Sequence, residues 1–174
     1  MNSLIKITSG KLRGRSIKSP NSALTHPMGS REKLALFNMI ADYLPGTKVL
    51  DAYAGSGALG IEALSRGAKE AVFIEKDAKT CKTIRDNLST LGLEARVLMM
   101  NVADFVSSEE FDVILVDPPY DNFLQGDVGH LSHNLKKTGV LVLSHPDEAP
   151  DLPGLELVKN RKYAGATISI YKPI

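Results

Sequence analysis

The run Phe111-Asp112-Val113-Ile114-Leu115-Val116-Asp117-Pro118-Pro119-Tyr120 joins an unbroken apolar stretch to an acid, two prolines and an aromatic ring. The apolar part is too continuous for a half-exposed strand and reads as a central strand covered on both faces. Neither proline can donate to a ladder and each fixes φ, so the strand must stop there and leave through a stiff loop. A carboxylate, a carbonyl-rich turn and a flat ring therefore sit at the carboxyl end of a buried strand, the edge where open α/β sheets bind ligands. A second group lies upstream, where Asp51-Ala52-Tyr53-Ala54-Gly55-Ser56-Gly57 follows Lys48-Val49-Leu50. Gly55 and Gly57 permit close approach of the backbone to a ligand at a helix start. A third is Glu75, 24 residues after Asp51, where a carboxylate can bind both hydroxyls of a ribose.

Gly55-x-Gly57-x-x-Gly60 also satisfies the dinucleotide fingerprint, so NAD binding has to be weighed. In that fingerprint the first glycine follows its strand at once, whereas here an acid ends the strand and three residues intervene. Asp-Pro-Pro-Tyr resembles the signature of amino-methyltransferases, which methylate exocyclic amines of adenine, cytosine or guanine with S-adenosylmethionine. The resemblance gives the residue types a chemistry. The Asp117 carboxylate and the Pro118 carbonyl would accept hydrogen bonds from the amine, localise its lone pair and aim it, while the prolines hold that geometry in advance. Tyr120 would stack on the base. Asp51 would serve the methionine ammonium group. The plain alternative is an ordinary strand-ending turn, since Asp and Pro are common turn residues.

The elements that must hold these groups can be read in order. Leu4–Ile7 and Arg15–Lys18 read as two short strands around the turn Ser9–Gly14, and Asn21–Gly29 as a loop. Ser30 reads as the N-cap of a helix with Glu32 in its first turn and Leu34, Phe37, Ala41 and Leu44 on its apolar stripe, widened by Leu36 and Ile40. Pro45-Gly46 ends it. The strand before Asp51 feeds the glycine loop and a helix closed by Gly67. Ala71–Ile74 forms the next strand, Asp77–Leu91 a helix stopped by Gly92, and Ala95–Met99 a further strand. After the Asp117 strand come a helix over 126–137, a strand over Gly139–Ser144, a proline-rich link, and an antiparallel hairpin from Leu155–Arg161 and Ala166–Lys172. The expected fold is α/β: a Rossmann-like S-adenosylmethionine-dependent methyltransferase fold with a mostly parallel seven-stranded sheet closed by a C-terminal hairpin.

At 174 residues with 43% hydrophobic content the chain suits one domain, with 1–29 as a basic hairpin arm and loop and 30–174 as the catalytic core. No apolar run reaches membrane-spanning length and no signal-peptide pattern opens the chain, so no membrane partner is expected. The lone Cys81 excludes an internal disulfide, fits a reducing cytoplasm and reads as a small buried hydrophobe. His130 and His133 have no further ligand beside them, so no metal site is expected. The net charge of +1 hides an asymmetry: residues 1–31 hold six cations (Lys6, Lys11, Arg13, Arg15, Lys18 and Arg31) and no acid. Such an arm would bind a polyanion through Lys11, Arg13, Arg15 and Lys18; a solvated terminus is the bland reading.

Taken together, the chain is similar to the bacterial 16S ribosomal RNA guanine-N2 methyltransferases of the small single-domain type. The similarity is carried by Gly10–Arg15, Ala35–Asn38, Asp51–Gly67, Glu75-Lys76, Asp117–Tyr120 and Arg161–Tyr163. It implies a guanine N2 in small-subunit rRNA as target, presented within a small-subunit assembly to a monomeric cytoplasmic enzyme. It also implies cofactor contacts from Asp51, Tyr53, Gly55, Gly57, Glu75, Lys76, Asn101 and Asp117. Asp117, Pro118, Pro119 and Tyr120 would hold the base, and Lys11, Arg13, Arg15, Lys18 and Arg31 the RNA. Three departures stand out: His26-Pro27-Met28 for the family's Arg-Pro-Thr, Asn101 for an acid, and Tyr53 for a Phe. The competing readings are an adenine-N6 or cytosine-N4 methyltransferase on DNA or another RNA, and a catalytically idle RNA-binding or assembly factor.

Overall fold

A computed structural model describes residues 3–20, 28–122 and 125–174; His26 and Pro27 lie outside them. Strands β3 (Lys48–Ala52), β4 (Glu70–Glu75), β5 (Arg96–Met99), β6 (Phe111–Val116) and β7 (Leu135–His145) run parallel. Strands β8 (Leu155–Lys162) and β9 (Thr167–Pro173) complete a seven-stranded sheet in the order β5-β4-β3-β6-β7-β9-β8. β9 is antiparallel to both of its neighbours and lies inside β8, although it follows β8 in the chain. This is the fold class that the pattern of buried strands, glycine loop and closing hairpin implies.

The central strands are sandwiched, which is why they read as unbroken apolar runs. Val49, Ala71, Phe73, Val113, Leu115, Val140 and Val142 face the helices α1 (Ser30–Met39), α2 (Ala58–Ser65) and α3 (Ala78–Leu91). Leu50, Val72, Ile74, Ile114, Val116 and Leu141 face the other side, covered by short turns and by Leu131 and Leu152. α3 follows its sequence signals closely. Asp77 caps it by accepting from the Thr80 amide at 2.8 Å, and Gly92 ends it at φ 68°. Cys81, Ile84, Leu88 and Leu91 bury its apolar face.

The hairpin β1 (Leu4–Lys6) and β2 (Ser16–Lys18) does not stand free. Ile7 and Ile17 are buried with the helix-side core. The turn between the strands packs on α2, with the Lys11 amide donating to the Ser65 carbonyl at 2.8 Å. α2 is thus covered by the sheet on one side and the hairpin on the other, which explains its nearly unbroken burial. Glu62 of α2 is the joint. Its carboxylate accepts from the Thr8 amide and hydroxyl, the Ser9 amide and Arg66, and pairs with Lys33 at 3.2 Å. Burial alone would push Glu62 up, but hydrogen bonds from Thr8 with Lys33 and Arg66 outweigh it and hold the carboxyl below its usual range.

Four sequence expectations need correction. Gly29, not Ser30, precedes the first helical residue of α1, and no side chain caps it. The Glu32 carboxylate folds back over position 29, where a Cβ would lie 2.2 Å from Oε2. Leu34 is exposed and Lys33 is buried in its place, because the helix turns Leu36, Phe37, Ile40 and Leu44 inward and the Lys33 head reaches Glu62. α1 itself stops at Met39, and a 3-10 turn over Ala41–Tyr43 carries the chain on. Finally, 126–137 is not one helix. A short helix α4 (Gln125–Gly129) and a 3-10 turn (His130–Asn134) give way to β7 at Leu135, which pairs with Phe111. Buried Asn134 fixes that switch by donating to the carbonyls of Ser107 and Glu109, each at 2.8 Å.

Candidate active site

Strands β3, β4 and β5 step outward in one direction and β6 returns to the other side of β3, so the sheet reverses between β3 and β6. Such a switch point opens a crevice at the carboxyl ends of the strands. Ala52 pairs with Ile74 on one side and with Val116 on the other. Glu75 and Asp117, one residue further on, are therefore level with each other at the same edge, with Asp51 two residues behind them on β3. The three acids share strand parity with the helix-side residues Val49, Phe73 and Leu115.

Asp51 is buried to 1% exposure. Its Oδ2 accepts from the Gly60 amide at 2.8 Å, while Oδ1 has no hydrogen-bond partner. Burial, with the Asp117 and Glu75 carboxylates adding repulsion, pushes its carboxyl well above the usual range against the Gly60 amide. Burial likewise raises Asp117 to about 6, opposed by a hydrogen bond from Ser144. Glu75 is aimed by two amides, Gly55 N–H on Oε2 at 3.1 Å and Asp77 N–H on Oε1 at 3.0 Å. None of the three acids forms an ion pair among the described residues. An orphaned buried oxygen and three uncompensated carboxylates make a site for a cation, and an oriented Glu75 suits a diol.

The loop from β3 to α2 is built for close approach. Tyr53, at φ 63°, is the only non-glycine with positive φ among the described residues, and Gly55 and Gly57 adopt φ 53° and 80°. A side-chain residue held there costs on the order of 1 kcal/mol, strain characteristic of functional loops. Burial, with Asp127 nearby, pushes the Tyr53 hydroxyl up to about 12, so it stays protonated. Tyr120 is held by its hydroxyl, 2.6 Å from Ser144 Oγ on β7. Pro118 is buried and Pro119 exposed beside it. Lys76 and Asn101 are exposed just beyond β4 and β5. Asn101 Nδ2 donates to Asp104 at 3.1 Å, which leaves its carbonyl oxygen available.

The catalytic and cofactor residues singled out in the sequence thus converge on one edge. The cations do not. α2 descends from the glycine loop to the opposite edge, where Gly46 meets Gly67 and Thr47 meets Lys69. Lys11 is anchored at Ser65 at the lower end of α2, and Arg15 donates to the Thr90 carbonyl at the lower end of α3. The hairpin turn that carries Lys11 and Arg13 thus meets the end of α2 away from the glycine loop, a helix about 12 Å long, and Arg15 meets the corresponding end of α3. Lys18 and Arg31 lie nearer: β2 ends beside the glycine loop, and α1 begins beside Tyr120, whose hydroxyl is affected by the Glu32 charge.

Three contributors escaped sequence reading. Gly60 donates to Asp51, and a Cβ there would lie 2.4 Å from the Phe73 ring; its signal was the third glycine of the fingerprint, weighed only for NAD. Ser144 bonds Tyr120, and nothing in the sequence marks it. Asn87, buried on α3, donates to the carbonyls of Lys18 and Ser56 at 2.9 and 3.0 Å and so braces the glycine loop.

Comparison with known proteins gives concordant matches. The family model described as Conserved hypothetical protein 95 matches residues 5–172. A Bacillus subtilis (strain 168) protein provisionally named rRNA methyltransferase YlbH is 35% identical over 182 residues, covering 97% of this chain and 98% of the relative. Ribosomal RNA small subunit methyltransferase D of Haemophilus influenzae is 34% identical over 156 residues, with 84% and 81% covered. A solved Escherichia coli structure, provisionally named methyltransferase yhhF, superimposes with TM-score 0.88 at 30% identity over 98% of each chain.

Proposed function

The chain belongs to the family described as Conserved hypothetical protein 95, and from that premise we propose that it methylates the exocyclic N2 amine of a guanine in small-subunit (16S) ribosomal RNA. The relatives named as rRNA methyltransferases support the reaction class and the RNA. The observation that carries the reading is the convergence of Asp51, Glu75 and Asp117, without an ion pair among the described residues, beside an Asp-Pro-Pro-Tyr loop. The reading takes residues 1–174 as one methyltransferase domain.

The cofactor is S-adenosylmethionine, and the residues present fit it: it supplies a methyl group on a cationic sulfonium, together with an ammonium group and a ribose diol. Asp51, with its free Oδ1, would hold the ammonium group directly or through water, and Glu75 the ribose. Asn101 would accept from the adenine amine through its carbonyl, and Gly55 and Gly57 leave room for the backbone to close on the ligand. Tyr53, one residue past β3, and Lys76, one past β4, would lie beside the bound cofactor.

On the substrate side, Asp117 and the Pro118 carbonyl accept the two hydrogens of the guanine amine. Two acceptors favour a pyramidal nitrogen and point its lone pair at the methyl carbon. Asp117 can do so only when ionised; a bound cation favours that form, because an opposite charge at close range lowers a carboxyl pKa. The proton lost by the amine leaves through Asp117 or to water. Tyr120, pinned by Ser144, offers its ring to the base. Pro119 stiffens the loop. Because the site is recessed at a strand edge, the guanine must leave its stack to reach it.

The test is transfer of labelled methyl to naked 16S rRNA, to assembled small subunits lacking the modification, and to duplex DNA, with the product nucleoside identified by mass. N2-methylguanosine from the RNA substrates is the expected result. Label in adenine or cytosine would overturn the guanine assignment, and cofactor binding without any transfer would favour an idle RNA-binding protein.

A further inference from the structure

The target base enters at the carboxyl edge of the strands, yet the cations of the hairpin turn lie at the other edge. Something else must hold the phosphates next to the reacting nucleotide. The outer strand β8 has the right placement and charge. It is exposed at every residue after Leu155, and it carries Lys159, Arg161 and Lys162 against one acid, Glu156, at its far end. None of these three cations forms an ion pair among the described residues.

The register fixes where they are. β8 runs in the same direction as β7, since both are antiparallel to β9, and Lys162 and His145 are both partners of Thr167. The basic end of β8 is therefore level with Ser144 and His145, at the edge that holds Asp117 and Tyr120. The register shift between Leu157 and Lys159 sets the faces. Lys159 and Arg161 pair with Ile170 and Ile168, which belong to the helix-side core, so they flank α1. Lys162 instead borders a cavity of about 300 Å³ with Asp147, Glu148, Asn160 and Thr167. The turn after β8 reaches the first turn of α1, where a Cβ on Gly165 would lie 3.8 Å from Glu32. Arg31 sits in that same turn of α1. Nothing in the sheet needs three free cations here, and Arg161-Lys162-Tyr163 has no part in the core of the site.

We propose that the basic end of β8 is a second RNA-binding surface, in which Lys159 and Arg161, assisted by Lys162 and Arg31, contact phosphates flanking the flipped guanine. This rests on the function proposed above. The hairpin then binds RNA further from the target, and β8 provides the local grip that aligns the base. Backbone contacts of this kind position a substrate without reading its sequence.

The experiment compares wild-type protein with a triple variant, Lys159→Gln, Arg161→Gln and Lys162→Gln, in RNA binding across a salt series. Substitutions at exposed positions leave the fold intact, which a thermal melt checks. The variant is expected to bind a 16S rRNA target fragment at least tenfold more weakly at low salt, with its dependence of log affinity on log salt reduced by about 2. Cofactor affinity, titrated without RNA, keeps its wild-type value. An unchanged RNA affinity and salt slope would overturn the proposal while leaving methyl transfer by the wild type, and with it the function, in place. The same unchanged affinity accompanied by self-association would also overturn it, showing that the cations only guard an open sheet edge. A wild-type protein that neither binds nor methylates RNA would remove both readings.

Discussion

The two ends of the parallel strands follow opposite electrostatic rules. At the amino ends Glu70, Glu109 and Asp112 all have cationic partners. Glu109 receives both arms of Arg96 at 2.9 and 2.6 Å and Lys48 at 2.5 Å; Glu70 lies 3.6 Å from each of the same cations. Asp112 takes Lys136 at 2.8 Å and the Lys48 amide at 2.9 Å. At the carboxyl ends Asp51, Glu75 and Asp117 gather without an ion pair among the described residues. Arg96 and then Lys48 hold Glu109 down at about 2, whereas burial lifts Asp117 to about 6. The amino edge is complete without a ligand, and the carboxyl edge is not. The same lesson appears within one face of the sheet. Glu62 and Asp51 are both buried, but Glu62 has a full set of donors and Asp51 has one. A satisfied buried acid is architecture; a half-satisfied one is an invitation to a ligand.

Substitutions can break this contrast. The largest effect is expected at Asp117. Asp117→Asn removes an anionic acceptor aimed at the amine, and turnover should fall about 100- to 1,000-fold while RNA binding persists; single-turnover methyl transfer measures this, and unchanged turnover would end the role assigned here. Glu62→Ala strips the partner from buried Lys33 and cuts the hairpin from α2. It should cost about 3 kcal/mol in chemical denaturation. A protein that lost little would show the joint to be dispensable. Asp51→Asn should separate the two kinds of acid most cleanly. It should weaken S-adenosylmethionine binding about tenfold, or about 1.4 kcal/mol, yet raise the melting temperature of the ligand-free protein by relieving repulsion from Asp117 and Glu75. If both fell together, Asp51 would be a structural residue like Glu62.

pH sharpens the comparison with a smaller effect. Asp117 titrates higher in the folded protein than in the unfolded chain, so its contribution to stability is full below about pH 4 and is lost as pH rises through about 6. Glu109 titrates lower when folded, so its contribution is present above about pH 4 and is lost as pH falls towards 2. Glu109 is partly exposed and screened, and Glu109→Gln should cost only about 1 kcal/mol at neutral pH. Denaturation midpoints followed across pH should therefore flatten on the acid side in Glu109→Gln and between pH 4 and 6 in Asp117→Asn. Activity runs the other way from stability at Asp117: kcat/KM should fall as pH drops through about 6, because the protonated acid cannot accept from the amine.

Much of this was legible in the sequence because it depends on local chemistry. Buried parallel strands announce themselves as unbroken apolar runs, glycine spacing marks the cofactor loop, and Asp117 to Tyr120 could be placed at a strand end from the prolines alone. What escaped depends on long-range partners. Lys33 is buried because Glu62, 29 residues away, and the Lys6 carbonyl receive it. β7 begins at Leu135 only because Asn134 is tied to Ser107 and Glu109. The hairpin was recognisable as basic, but which edge of the sheet its turn would occupy depended on its docking against α2 and α3, and no local pattern encodes that. Ser144 and Asn87 matter through what they touch, and neither carries a motif.

The position of β9 has a consequence for how the molecule is assembled. Because β9 follows β8 in the chain yet lies inside it, β8 emerges during synthesis with no edge to join, and waits for its successor to dock on β7 and offer a second side. The order of manufacture is therefore not the order of construction. A chain cut within 167–173 should forfeit two strands rather than one, and with them the outer basic surface, while β3, β4 and β6 keep the carboxylates in place.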